Sequence, residues 1–139
     1  MRWAIIDTSV YINHWEGGLD QDALLPVRKA FVVRQSSVVL SELRRGARTA
    51  EGRRLVEALF RLAKIQWAPT TADWWEAGRL LQKIGDAQDW DRHKRQAFQN
   101  DALIALTARR YGATIVTADR NDFELLRGEV EISIFAVAS

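Results

Sequence analysis

The sequence predicts an α/β fold: a central parallel sheet of about four or five strands with helices on both faces. Three observations carry that expectation. Short apolar runs of strand length recur at 2–6, 35–40, 65–68, 113–117 and 130–135. Stretches with apolar residues at helical spacing lie between them. Acidic residues follow several of the runs, where sheets of this class place their ligands. Strands that alternate with helices pair in parallel, because each return crossing is a helix.

The elements follow in chain order. Arg2 to Ile6 reads as the first strand, and Thr8 or Ser9 as the cap of a helix from about Val10 to Trp15, stopped by Gly17-Gly18. Leu24 to Val33 reads as helix. Gln35 to Leu40 contains Ser-Ser-Val-Val-Leu, a strand of buried type that turns into helix at Ser41. Ala50 to Lys64 is amphipathic, with Leu55, Leu59, Leu62 and Ala63 on one face. A short strand at Ile65 to Ala68 is closed by Pro69, and Thr71 to Ile84 returns to helix. Asp86 to Gln99 is a polar, charged connection. Asn100 to Tyr111 is an apolar helix ended by Gly112. Ala113 to Thr117 is a strand, Asp122 to Leu126 a short helix and Val130 to Phe135 the last strand.

Composition narrows the function classes. The 139 residues fit one domain, 1–139, with no linker or repeat. With no cysteine, disulfide frameworks and thiolate metal sites are excluded. No run approaches the ~18–20 apolar residues of a membrane span, and the N-terminus lacks a signal-peptide pattern. The expected compartment is the cytoplasm. Of 20 basic residues 16 are arginine, the side chain suited to forked phosphate contacts.

Four carboxylates come from four distant segments. Asp7 ends the first strand, and Glu42 lies just past Val38-Val39-Leu40 in the first turn of the next helix. Asp101 opens the apolar helix, and Asp119 follows Thr114-Ile115-Val116-Thr117. A parallel sheet gathers them at one rim. Singly, an acid at a helix start is worth about 0.3–1 kcal/mol against the helix dipole. Together they repel, and each raises its neighbours' pKa unless a cation intervenes. No Lys or Arg adjoins Asp7, and none lies within three residues of Asp101. A divalent ion resolves the conflict, and an all-oxygen donor set suits Mg²⁺ or Mn²⁺. Thr8, Ser9 and Thr117 would orient the acids, hold water or simply cap helices and turns. His14 and His93 lack ligand spacing.

These residues resemble a PIN-domain ribonuclease, and more narrowly a VapC-type toxin of a type II toxin–antitoxin system. The motifs are Ile5-Ile6-Asp7-Thr8-Ser9, Val38-Val39-Leu40-Ser41-Glu42-Leu43-Arg44-Arg45-Gly46, Asn100-Asp101-Ala102-Leu103-Ile104-Ala105, and Gly112 to Asp119 with Asp122-Phe123. The resemblance implies a PIN-like three-layer fold and a Mg²⁺-dependent endoribonuclease. It also implies a homodimer inhibited by a VapB-type antitoxin. It places the acidic quartet on Asp7, Glu42, Asp101 and Asp119, with Asp122 in support. The segment from Pro69 to Gln99 is the least family-like.

The expected reaction is RNA phosphodiester hydrolysis by metal-activated water. Asp7 and Asp101 hold the principal ion, while Glu42 and Asp119 act through water or a second ion. Arg44, Arg45, Arg48, Arg92, Lys94 and Arg95 are candidate RNA contacts. The alternative is a PIN-like module that binds RNA or protein without cutting. An aspartyl-phosphate enzyme is excluded, because Ser9 stands where its second acid belongs. No Gly-x-x-x-x-Gly-Lys phosphate loop occurs.

Overall fold

The computed structural model describes residues 2–16 and 24–137. β1 (Trp3–Ile6) is buried over Ala4, Ile5 and Ile6. Asp7 then starts α1 (Thr8–Trp15) as its N-cap, with no side-chain cap bond. Thr8 and Ser9 are therefore inside the helix, not caps, and their hydroxyls are available for other partners. α1 ends at Trp15 with Glu16 as C-cap. The expected stop at Gly17-Gly18 lies outside the described residues.

The stretch expected to be helical from Leu24 to Val33 divides in two. α2 (Leu25–Ala30) has Pro26 in its first turn, and the chain turns extended at Phe31 to form β2 (Val32–Val33). The β-branched pair gains more from the ladder with β1, where Trp3 faces Val32 and Ala4 faces Val33. β3 (Gln35–Ser36) is only two residues long. Val38, Val39 and Leu40 belong to α3 (Ser37–Gly46), not to a strand. The Ser36 side chain accepts from the Val38 and Val39 amides, which starts the helix there. Val39, Leu40 and Leu43 are then buried on one helical face. Glu42 consequently sits in the second turn, not the first.

α4 (Ala50–Leu62) is capped by Thr49, whose hydroxyl accepts from Gly52 N. Of its expected face Leu59 packs partly buried against the core, but Leu55 and Leu62 are exposed, Leu62 by 80%; Val56 is the buried residue instead. β4 (Gln66–Trp67) pairs in parallel with β3 as a small second sheet. α5 (Thr71–Gln88) begins with a reciprocal cap between Thr70 and Asp73. It runs past Ile84 and ends at Asp89, which takes φ 55°. Asp91 then accepts from Lys94 N and starts α6 (Arg92–Tyr111). The expected polar connection at 86–99 is thus mostly helix. Asp101 lies in the middle of α6 rather than at its start. Gly112 closes α6 with φ 64°, a conformation that favours glycine.

β5 (Thr114–Thr117), α7 (Arg120–Arg127) and β6 (Ser133–Ala136) complete the chain. The main sheet is parallel in the order β2-β1-β5-β6, flanked by helices. It has four strands, because the runs at 35–40 and 65–68 form the separate pair. From β1 the chain first goes to one side, then returns to β5 and continues outward to β6. The order reverses between β1 and β5, the switch point at whose carboxyl ends a sheet of this class has its ligand crevice. α6 supplies the floor: Ala102 to Ala108 are all buried. No described helix is long and apolar enough to cross a membrane.

Arg110 ties α6 to the start of α5, donating to Asp73 Oδ1 and Thr70 Oγ1 at 2.7 Å each. Trp67 stacks on Tyr111 with ring centroids 4.0 Å apart and meets Trp3 edge-on. Trp74 and Trp75 on α5 are both exposed, Trp75 by 86%.

Candidate functional site

Asp7 is the best-positioned acid of the crevice. Its backbone N–H donates to Val116 O at 2.8 Å, extending the β1–β5 ladder by one bond. Its Oδ2 accepts from Ser9 Oγ at 2.8 Å and from Thr117 Oγ1 at 3.1 Å. Those hydroxyls are themselves fixed. Ser9 Oγ accepts from Ala118 N at 3.2 Å, and Thr117 Oγ1 accepts from Asp119 N at 2.9 Å. Each hydroxyl therefore has its proton committed to Asp7. Both bonds fall on Oδ2 and neither on Oδ1. Burial nevertheless raises the Asp7 carboxyl above its ordinary value; Ser9 and Thr117 oppose the rise and the Glu42 charge adds to it.

Glu42 reaches the crevice from α3 and accepts from Thr8 Oγ1 at 2.8 Å. Asp101 projects from the middle of α6. Its pKa is pushed up to about 9, first by burial and then by the charges of Asp7, Asp122, Glu42 and Asp119. Asp119 stands at the exposed rim past β5. Burial, the Asp122 charge and a hydrogen bond with Asp122 raise it, while Lys94 lowers it. The four acids expected from the sequence thus act on one another, and Asp122 joins them as a fifth.

The candidate RNA contacts separate. Lys94 lies at the rim, its Nζ 3.7 Å from Asp122 Oδ2. Arg95 does not face the crevice. It donates to Trp90 O at 3.0 Å and Asp86 Oδ1 at 2.9 Å, clamping the α5–α6 turn over Gly85. Arg92 is exposed in the first turn of α6. Arg92, Lys94 and Arg95 are thus helical, not in a loop. Arg44 and Arg45 line a recess of about 810 Å³ with Leu40, Val56 and Phe60. Arg48 lines another of about 530 Å³ that Glu42 also borders. The sequence reading did not anticipate Phe98 at the site. Trp90 just before α6, and Phe98 one helical turn past Lys94, were the available signal.

The donor set fits a hard divalent cation: buried carboxylate oxygens with no described cation paired to Asp7 or Asp101. Among the described residues no three His, Cys, Asp or Glu side chains form a ready metal cage. Mg²⁺ does not need one, since it keeps several waters and takes one or two carboxylates directly.

A family model, the PIN domain, matches residues 4–128. The chain belongs to the PIN domain family. The crevice of this PIN domain is therefore the family's fold seen at its β1–β5 switch. No match is found among curated proteins. Several solved structures are similar over nearly their whole length. One is VapBC-5 from Mycobacterium tuberculosis, a member of the VapBC family of toxin–antitoxin systems. It is 25% identical with TM-score 0.62, covering 99% of this chain and 100% of that one. VapBC-1 from nontypeable Haemophilus influenzae is 17% identical with TM-score 0.69, covering 96% and 97%. VapBC2 from Rickettsia felis, bound to a DNA fragment from its promoter, is 18% identical with TM-score 0.66, covering 96% and 98%. The family and fold implied by the sequence motifs are those found.

Proposed function

We propose that this PIN domain is a VapC-type toxin: a divalent-metal-dependent endoribonuclease that cuts RNA phosphodiesters. The observation that carries the reading is the crowding of Asp101: burial and the charges of Asp7, Asp122, Glu42 and Asp119 drive it to about 9. Such a group stays protonated at neutral pH unless a cation offsets its neighbours. Asp7 and Asp101 would hold Mg²⁺ or Mn²⁺, with Glu42 and Asp119 at its edge. Bound there, the ion supplies charge neutralisation and lowers the pKa of an attacking water.

The chain's own residues do the positioning. Ser9 and Thr117 fix the Asp7 carboxylate against β5, and Thr8 fixes Glu42 across from it. Arg44, Arg45, Arg48, Arg92 and Lys94 attract the RNA strand by charge. Arg95 supports the α5–α6 turn that leads into Lys94.

A VapB-type antitoxin and a second copy of the chain are the proposed protein partners. The VapBC relatives support this, and so do the exposed apolar side chains on α4 and α5, among them Phe60, Leu62 and Trp75. The cytoplasm is the proposed compartment. Incubation of the purified chain with labelled RNA tests the activity. Cleavage that needs Mg²⁺ or Mn²⁺ and stops with chelator is the expected result. RNA binding without cleavage under any divalent ion would identify a non-catalytic PIN-like module instead.

A further inference from the structure

Lys94 holds a built position beside the acids. It stands seven residues before Asp101 on α6, hence on nearly the same helical face and roughly 10 Å nearer the N-terminus. Its ammonium lies 5.1 Å from the Trp90 ring centroid and 5.9 Å from that of Phe98. Trp90 is anchored: its N–H donates to Gly85 O at 2.9 Å, and its carbonyl accepts from Arg95. Its ring meets the buried Phe98 edge-on, with centroids 4.8 Å apart. Aromatic faces hold an ammonium without cancelling its charge. Among the described residues, Lys94 is the one cation paired with any of the five acids, and it pairs with Asp122 at the loose distance of 3.7 Å.

The crevice therefore has two unlike halves. The Asp7–Asp101 half has no described cationic partner, and the Asp119–Asp122 half is served by Lys94. Phosphodiester hydrolysis with two ions places them about 3.5–4 Å apart, one near the attacking oxygen and one near the leaving oxygen. A second dication between Asp119 and Asp122 would lie against the ammonium and be repelled.

We propose that Lys94 replaces a second metal: the site binds one divalent ion in the Asp7–Asp101 half, and the Lys94 ammonium serves the other half and the substrate phosphate. This rests on the nuclease reading above. In hydrolysis a bond from water oxygen to phosphorus forms, and the bond to the leaving ribose oxygen breaks as that oxygen gains a proton. Lys94 makes no bond in this exchange. Its charge offsets that gathering on the phosphoryl and leaving oxygens, and it exchanges Asp122 for them as substrate arrives.

Mn²⁺ titration of the full chain by calorimetry, beside RNA cleavage, tests this. The wild type and Lys94→Arg bind one Mn²⁺ per chain, and Lys94→Met binds two. Cleavage by Lys94→Met falls about tenfold or more at limiting Mn²⁺ and recovers at high Mn²⁺ with a steeper dependence on the ion. Two ions in the wild type overturn the role of Lys94 and leave the nuclease reading standing. One ion and unchanged cleavage in Lys94→Met overturn it as well. No ion bound by the wild type overturns the metal reading itself, and the lysine's role with it.

Discussion

The Thr8 hydroxyl donates to Glu42 Oε1 at 2.8 Å, joining the first residue of α1 to the second turn of α3 across 34 positions of sequence. The bond gives Glu42 a fixed place opposite Asp7. Thr8→Val keeps the shape of the side chain and removes the donor. Cleavage of RNA is expected to fall about tenfold, the rate equivalent of one hydrogen bond to a charged group. Thermal unfolding should shift by only about 1 kcal/mol. Comparing the initial rate of the two proteins at one Mg²⁺ concentration measures this.

Asp101 makes the metal-free protein sensitive to alkali. Its folded pKa is about 9, against an ordinary value of 3.8. Between those values the folded chain keeps a proton that the unfolded chain has lost. Stability from this group is thus full below 3.8 and falls as pH rises toward about 9. Melting of chelator-treated protein at about pH 5 and about pH 8 should show the decline. Asp101→Asn should flatten it and raise the melting temperature at the higher pH. A melting temperature of the wild type that rises with pH over this range would count against the crowded-acid description.

Asp73 acts with the opposite sign. Burial alone would raise its carboxyl, but hydrogen bonds from Arg110 and Thr70 and the Arg110 charge outweigh that and hold it below 3.8. Its contribution is present above 3.8 and lost as pH falls through the lower folded value. Asp73→Ala removes both the reciprocal cap with Thr70 and the tie to Arg110. It should destabilise the protein by about 2 kcal/mol at neutral pH while leaving the cleavage rate of the folded fraction unchanged. Denaturant melts at neutral and acid pH would show the difference between variant and wild type shrinking in acid.

The sequence reading and the structure part company where local propensity and capping compete. Val38-Val39-Leu40 looks like strand because β-branched residues favour it, yet the Ser36 hydroxyl caps a helix there and the apolar residues bury at helical spacing. The charged stretch at 86–99 looks like a loop because nothing apolar repeats in it. Asp89 and Asp91 supply a turn and a cap within three residues, which makes it a helix hairpin. Asp7 and Asp119 were placed by strand ends, whereas Glu42 and Asp101, which lie within helices, were placed by motif order alone. Lys94 was legible as a charge but not as a held one, since its seat depends on Trp90, just before α6, meeting Phe98 in the second turn of that helix.

The most direct test is Asp101→Asn, assayed for cleavage of labelled RNA with Mg²⁺ or Mn²⁺ and for its fold by circular dichroism. A folded variant that no longer cuts, beside a wild type that cuts and is stopped by chelator, is the expected result. Undiminished cleavage by the folded variant would contradict the placement of the reaction among Asp7, Glu42, Asp101 and Asp119.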